Sequence, residues 1–286
     1  MTFLATSEPF DGVAVLRFLA ARAIPGVEDV DGDTYRRTFA LPHGTAVMAL
    51  TPQAGGVVAQ LEALDDPRDE AGALRRARRL FGLDQDPEAV VAQLGADAVL
   101  GPLLARRPGL RVPGVADGWE LAVRAVLGQQ ITVAAARTLA GRITAAVGPR
   151  LATPHGALTH RFPAAADLAV APDEIFAMPR SRIRTLRGLA AADPRLERPE
   201  DAAALAELWG IGPWTASYVA LRLGDPDVFL ATDVAIRKAL ALRGATTADA
   251  PRWAPLRSFA TVHLWASLPN PAANSPRRAG VRARTG

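Results

Sequence analysis

The residue pattern changes at about residue 85, and this change constrains the fold more than any other feature of the chain. Ahead of it lie three short segments rich in β-formers, TYRRTFAL (34–41), GTAVMALTP (44–52) and GVVAQLEAL (56–64). The turn signals Asp31-Gly32, Pro42-His43-Gly44 and Gly55-Gly56 punctuate them. Leu16, Leu19, Ala20 and Ala23 recur at helical spacing behind Asp11 and predict a helix over 12–23. Asp66-Pro67, an N-cap and first-turn pair, predicts a second helix that ends at Gly82. Such a segment folds as an α+β domain, with helices on one face of an antiparallel sheet.

Beyond residue 85 helix follows helix. Asp86-Pro87 opens one, Asp117 caps another that carries Trp119 to Leu127, Gly128-Gln129-Gln130 interrupts, and 132–147 resumes. Further helical stretches fall near 181–192, 201–208, 213–223, 233–243 and 251–266, without a strand signal of comparable strength. The expected organisation is an α+β domain over 1–84, an all-α region over 85–269, and a flexible basic tail over 270–286 that holds Arg277, Arg278, Arg282 and Arg284.

Composition removes several chemistries. The 286 residues include no cysteine, so disulfides, thiolate zinc sites, iron–sulfur clusters and cysteine nucleophiles are excluded together. His43, His155, His160 and His263 show no close ligand spacing. The start, MTFLATSEPFDG, has no basic stretch followed by an apolar run, and no segment approaches the ~20 apolar residues of a membrane span. A soluble cytoplasmic protein without a membrane partner is expected. Its basic side chains are arginine with one exception, Lys238, and the formal charge of +4 permits a polyanionic partner.

Residues 202–223, DAAALAELWGIGPWTASYVALR, carry the most information. A helix ends at Leu208, Trp209-Gly210-Ile211-Gly212 form a hairpin, and Pro213 sits at the first position of the next helix. Glycines on either side of one apolar residue allow a tight turn and leave backbone amides uncovered, and a helix N-terminus behind them favours a phosphate oxygen. Ile211 is placed to plug the hairpin into the core.

With these residues in view, the chain resembles the helix–hairpin–helix DNA glycosylases, and within them the bacterial 3-methyladenine DNA glycosylase II (AlkA) type. The matching stretches are FLAARAI (18–24), VRAVLGQQIT (123–132), LWGIGPWTASY (208–218) and DVFLATDVAIRKAL (227–240), with RWAPLRSFATVHLW (252–265) fitting the C-terminal helix. The α+β unit matches that subfamily's N-terminal domain, which is expected to pack beside the helices without forming the pocket. The resemblance implies a hydrolase of base excision repair that binds double-stranded DNA, flips an alkylated base such as 3-methyladenine out of the stack, and leaves an abasic site, acting as a monomer at the nucleoid.

The same resemblance assigns roles. Asp233 stands where the family keeps its catalytic aspartate; alone, an aspartate there is a helix cap, and the two roles are compatible because a helix N-terminus favours the anion. A carboxylate stabilises an oxocarbenium-like sugar and orients water, as in glycoside hydrolysis. Relatives that also cut the strand use a lysine just after the hairpin; Trp214 stands there, which points to the monofunctional branch. Trp214, Tyr218 and Trp265 are expected to line the base pocket, where rings stacked on a cationic purine gain ~1–2 kcal/mol. Trp209 is expected to pack or to contact backbone, and Trp119 and Trp253 to be structural. Gly210, Gly212, Thr215, Gln129 and Gln130 are expected at the DNA, with Gln130 at the wedge position that relatives fill with an apolar side chain. Backbone carbonyls of Ala206, Leu208 and Ile211 correspond to a family site for Na⁺ or K⁺; no other cofactor and no iron–sulfur cluster is implied. His263 is read as a satisfied buried histidine without a role. The competing readings are a helix–hairpin–helix module that binds DNA without chemistry, and a glycosylase for another damaged base.

Overall fold

The computed structural model describes residues 1–269, so the basic tail expected over 270–286 lies outside the described residues. Five strands form one antiparallel sheet in the order β1-β5-β4-β3-β2: β1 (Thr2–Ala5), β2 (Glu28–Asp31), β3 (Thr34–Leu41), β4 (Gly44–Gln53) and β5 (Gly56–Leu64). Helices α1 (Gly12–Ala20) and α2 (Glu70–Phe81) pack on it. Asp11 caps α1 by accepting from the Ala14 amide, and Gly82 ends α2 at φ +64. Tyr35, Phe39, Met48, Leu50 and Val57 from the sheet meet Leu16, Leu19, Leu80 and Phe81 in a single core. This is the α+β unit expected.

Two of its strands were not legible. β1 has four residues, and β2 reads EDVD, a composition depleted in β-formers. Tertiary contacts make β2 a strand. Buried Glu28 accepts from the Tyr35 hydroxyl and, through Oε2, from the Ile24 amide at 2.6 Å.

The remainder is helical: α3 (Pro87–Leu94), α4 (Gly101–Arg106), α5 (Gly118–Leu127), α6 (Val133–Val147), α7 (Ala165–Val170), α8 (Arg180–Ala192), α9 (Pro213–Leu223), α10 (Val234–Ala241) and α11 (Arg257–Ala266). One strand pair corrects the purely helical reading: β6 (Arg150–His155) and β7 (Leu158–His160) form a hairpin turned at Gly156, φ +59. β6 has no buried residue, so the alternation that marks a strand is missing. The hairpin is docked by the Gly26 carbonyl, which accepts from the Thr159 and His160 amides at 2.8 and 3.0 Å. The stretches near 201–208 and 251–266 are also not α-helical throughout. Pro199–Glu207 and Thr247–Trp253 are 3-10 turns, and α11 starts only at Arg257, beyond Pro255, which has no amide to continue a helix.

The helices surround two cores. The first gathers Leu121, Val126, Ile143, Leu186, Leu189, Ile211 and Val219, together with Ile24 and Val27 from the segment after α1. The second gathers Val90, Leu94, Leu104, Ile236, Leu240, Trp253, Phe259 and Leu264. Where the sheet meets α5, four buried or half-buried charges close on one another. Arg37 Nη2 reaches Glu120 Oε2 at 2.6 Å, while Arg124 Nη1 reaches Glu120 Oε1 at 2.8 Å and Glu28 Oε2 at 3.0 Å. Arg124 Nη2 also donates to the Arg22 carbonyl at 2.6 Å, which fastens the chain just past α1.

His263 on α11 is buried, as expected, but its Nε2 has no partner among the described residues. Burial pushes its pKa down to about 4, and the nearby Arg107 guanidinium acts in the same direction. The folded protein therefore refuses a proton that the unfolded chain accepts near pH 6.5. Stability rises with pH between those values and is lost as pH falls through the window, by about 3 kcal/mol in all. Urea unfolding of His263→Leu should show a flatter dependence between pH 4 and 6.5 than the wild type; an equal slope would assign the effect to other groups.

Candidate functional site

The hairpin forms as its sequence dictates. Gly210 adopts φ +81, and a Cβ there would lie 2.0 Å from Thr185 Oγ1, so only glycine fits. Gly212 is different: its φ is −87, it caps α9, and no atom lies within 4 Å of where a Cβ would be. Ile211 is buried in the first helical core, the plug that the sequence predicted. The N-terminus of α9 and the exposed Gly210 and Gly212 thus present backbone to the outside. Trp209 does not pack inside. It is 51% exposed, and Arg184 lies over its ring at 4.3 Å.

Thr215 and Gln129, both expected at the DNA, meet each other. Thr215 is buried, and Gln129 Nε2 donates to its Oγ1 at 3.3 Å and to the Gly210 carbonyl at 3.1 Å. Their side chains bind each other and tie the turn after α5 to the hairpin. Gln130 projects from that turn, exposed, with φ +60. Ile131 and Val133 beside it are 37% and 44% exposed.

Asp233 caps α10. Its Oδ1 accepts from the Ile236 amide at 3.0 Å and from Trp265 Nε1 at 3.3 Å. Oδ2 accepts no hydrogen bond from the described residues. The loop before it is braced by Arg257, which grips Asp227 at 2.7 and 2.8 Å, and by Arg237 Nε, which donates to the Ala231 carbonyl at 3.0 Å. Lys238 is exposed on α10.

The three predicted aromatics come together beside this carboxylate. Trp214 and Tyr218 stack at 5.4 Å between centroids with planes 3° apart, and Trp265 meets Tyr218 edge-on at 6.4 Å. Tyr218 packs against the first helical core and Trp265 against the second, so the cluster straddles the seam between them. Trp119 and Trp253 lie away from it as structural residues. Trp119 donates to the Pro163 carbonyl at 2.9 Å, and Trp253 is fully buried.

The N-terminal unit also contributes, contrary to the expectation that it stands aside. Phe18 on α1 lies between two guanidiniums, Arg22 at 3.7 Å and Arg222 at 4.7 Å from its ring centre. Arg222 donates to the Tyr218 hydroxyl at 2.8 Å and to the Pro113 and Gly114 carbonyls at 2.5 and 2.6 Å. Burial alone would push the Tyr218 hydroxyl up, but Arg222 and Arg22 bring it below its ordinary value. Sequence reasoning assigned no role to Phe18, Arg22 or Arg222. The signals were the matching stretch FLAARAI (18–24), which contains Phe18 and Arg22, and the place of Arg222 one helical turn beyond Tyr218.

Among the described residues no group of three histidine, aspartate or glutamate side chains gathers as a metal site, and no helix is long and apolar enough to cross a membrane. At the hairpin, the Leu208 carbonyl accepts from the Ile211 amide at 3.1 Å, whereas the Ala206 and Ile211 carbonyls accept no hydrogen bond from the described residues.

An α+β unit in front of a hairpin-bearing helical body, with an aspartate and aromatics at its seam, defines a class that other proteins share. The solved structure of the 3-methyladenine DNA-glycosylase from Archaeoglobus fulgidus superposes with a TM-score of 0.79 over 93% of this chain and 97% of that one, at 20% identity, a likeness of fold. The AlkA N-terminal domain family matches residues 2–117. DNA-3-methyladenine glycosylase 2 of Escherichia coli K12 is 35% identical over 279 residues, covering 90% of this chain and 94% of that protein. A Mycobacterium tuberculosis protein described as a probable bifunctional transcriptional activator/DNA repair enzyme AlkA is 44% identical over 283 residues. The match covers 94% of this chain, which spans 57% of that relative's length. The chain belongs to the AlkA family of DNA-3-methyladenine glycosylases.

The two hairpin glycines should separate by substitution. Gly210→Ala should lower stability by about 2 kcal/mol, from the positive φ and the Thr185 clash. Gly212→Ala should stay within about 0.5 kcal/mol of wild type. Thermal unfolding measures both, and equal effects would contradict the geometry.

Proposed function

We propose that this protein is a monofunctional DNA glycosylase that extrudes alkylated bases, such as 3-methyladenine, from double-stranded DNA and hydrolyses the N-glycosidic bond to leave an abasic site. The observation that carries this reading is Asp233: Oδ1 is held by the Ile236 amide and Trp265 Nε1, while Oδ2 has no partner among the described residues. As the bond to the base breaks, positive charge develops on the sugar, and a fixed carboxylate stabilises it without reorganising. The same oxygen orients water for attack at C1′. Trp214, Tyr218 and Trp265 offer faces and edges to an electron-poor base.

Water is the nucleophile in this reading because no amine is placed to replace it. Trp214 follows Pro213 where a lysine would stand in strand-cutting relatives, and Lys238 is exposed. The open amides at Gly210 and Gly212 take a backbone phosphate, and Gln130 enters the space left by the extruded base. The Ala206 and Ile211 carbonyls, with that of Leu208, suit a hard monovalent cation, Na⁺ or K⁺, that would brace the hairpin; no step of the hydrolysis passes through it.

Asp233→Asn tests the reading cleanly, because asparagine caps a helix as well as aspartate does. The variant should keep its thermal stability and its DNA binding but release free base from methylated duplex at least ~100-fold more slowly, the scale of losing one preorganised electrostatic group. Strands treated with the wild type should stay intact until alkali is added. An unchanged rate in the variant would overturn the role of Asp233, and cleavage without alkali would overturn the monofunctional assignment.

A further inference from the structure

The guanidinium of Arg22 stands apart from the other arginines of the site. Arg222 spends its donors on Tyr218, Pro113 and Gly114, and Arg124 spends its donors on Glu28, Glu120 and the Arg22 carbonyl. Arg22 donates from Nη1 to the Phe18 carbonyl at 3.2 Å, has the Tyr218 hydroxyl as its one side-chain hydrogen-bond partner, and pairs with no carboxylate among the described residues. It is half-buried, has its Cζ 3.7 Å from the Phe18 ring centre, and has the Tyr218 hydroxyl, Arg222 and Arg124 as its charged or polar neighbours. Burial and the two like charges oppose its ionisation. A desolvated cation without an anion is costly, and a guanidinium with five N–H donors facing only the Phe18 carbonyl and the Tyr218 hydroxyl has donors to spare.

We propose that Arg22 is a specificity-determining residue of the base pocket, donating hydrogen bonds to the acceptor edge of the extruded base and favouring neutral bases over cationic ones. This rests on the glycosylase reading above. The charge balance of hydrolysis gives the reason. When the C1′–N bond breaks, its electron pair remains on the base nitrogen, and water supplies the new C1′–O bond. A cationic alkylated purine departs neutral, and the proton lost by water goes to solvent. A neutral purine departs as an anion and takes up the equivalent of that proton. A fixed guanidinium stabilises the second leaving group as its charge develops and repels the first in the ground state. The stacked rings act in the opposite sense, since cation–π attraction favours the cationic base. Arg22 therefore widens a pocket that aromatics alone would restrict to cations.

The test compares single-turnover base release by the full chain from two duplexes that differ in one nucleotide, hypoxanthine as the neutral purine and N7-methylguanine as the cationic one. Arg22→Gln should lower the hypoxanthine-to-methylguanine rate ratio at least tenfold, with most of the change in the hypoxanthine rate. Equal loss on both substrates would overturn the proposal, because a phosphate contact or a structural role predicts that result. Should Arg22→Gln release neither base, Arg22→Lys carries the test: it keeps the charge but not the planar fork, and its ratio should fall at least threefold, whereas an unchanged ratio overturns the proposal. A wild type that releases methylguanine and not hypoxanthine overturns the role of Arg22 alone. A wild type that releases neither overturns the glycosylase reading and this role together.

Discussion

The buried charges at the seam between sheet and helices set the position of everything around the site. Glu28 and Arg37 come from β2 and β3, Glu120 and Arg124 from α5, and each charge faces an opposite one within 3.4 Å. Burial alone would push the Glu120 carboxyl up, yet Arg37 and Arg124 outweigh it and hold the group ionised. Such a network adds little net stability, because taking the charges out of water offsets their attraction, but it is intolerant of losing one member. Its value here is geometric. The ion pairs are directional, and Arg124 extends them to the Arg22 carbonyl. The sheet unit is thereby fixed in the orientation that brings Phe18 against Arg222 and Arg22 beside Tyr218. An apolar interface of similar size would slide more easily.

This explains which parts of the molecule were legible in the sequence. The hairpin was legible because backbone geometry selects its residues: Gly210 at φ +81, Pro213 at the first turn of α9, and one apolar plug, Ile211, between them. The cap at Asp233 was legible for the same reason, and α1, α2 and β3 to β5 announced themselves by periodicity. β2 did not, since its charged residues are strand-forming only once Arg37 and Arg124 are present to pair with Glu28. The β6–β7 hairpin failed for the opposite reason, having no buried face on β6 to impose an alternation.

Within the site, local order in the chain was readable and cross-element pairing was not. Trp214 and Tyr218 share a helix face, so their stacking follows from spacing. Thr215 lies on the next face round, turned inward, where its hydroxyl meets Gln129 from a turn 86 residues away. Nothing in either segment marks that pairing. Its consequence is mechanical: the turn bearing Gln130 and the hairpin bearing Gly210 are joined by one side-chain amide, so the two exposed turns keep a fixed spacing. Gln130 adopts φ +60, a conformation uncommon outside glycine and asparagine, and its side chain is exposed.

Asp233 shows how one residue serves structure and chemistry together. A cap uses a single carboxylate oxygen, and Oδ1 meets that need by accepting from the Ile236 amide. The α10 N-terminus then favours the ionised form that the reaction requires. Trp265 adds a donor to the same oxygen from α11, so the carboxylate plane is set by two helices rather than one. That leaves Oδ2 oriented but unoccupied by the described residues. The aspartate is therefore preorganised by the contacts that stabilise the fold, and the ring that orients it belongs to the aromatic cluster proposed to receive the base.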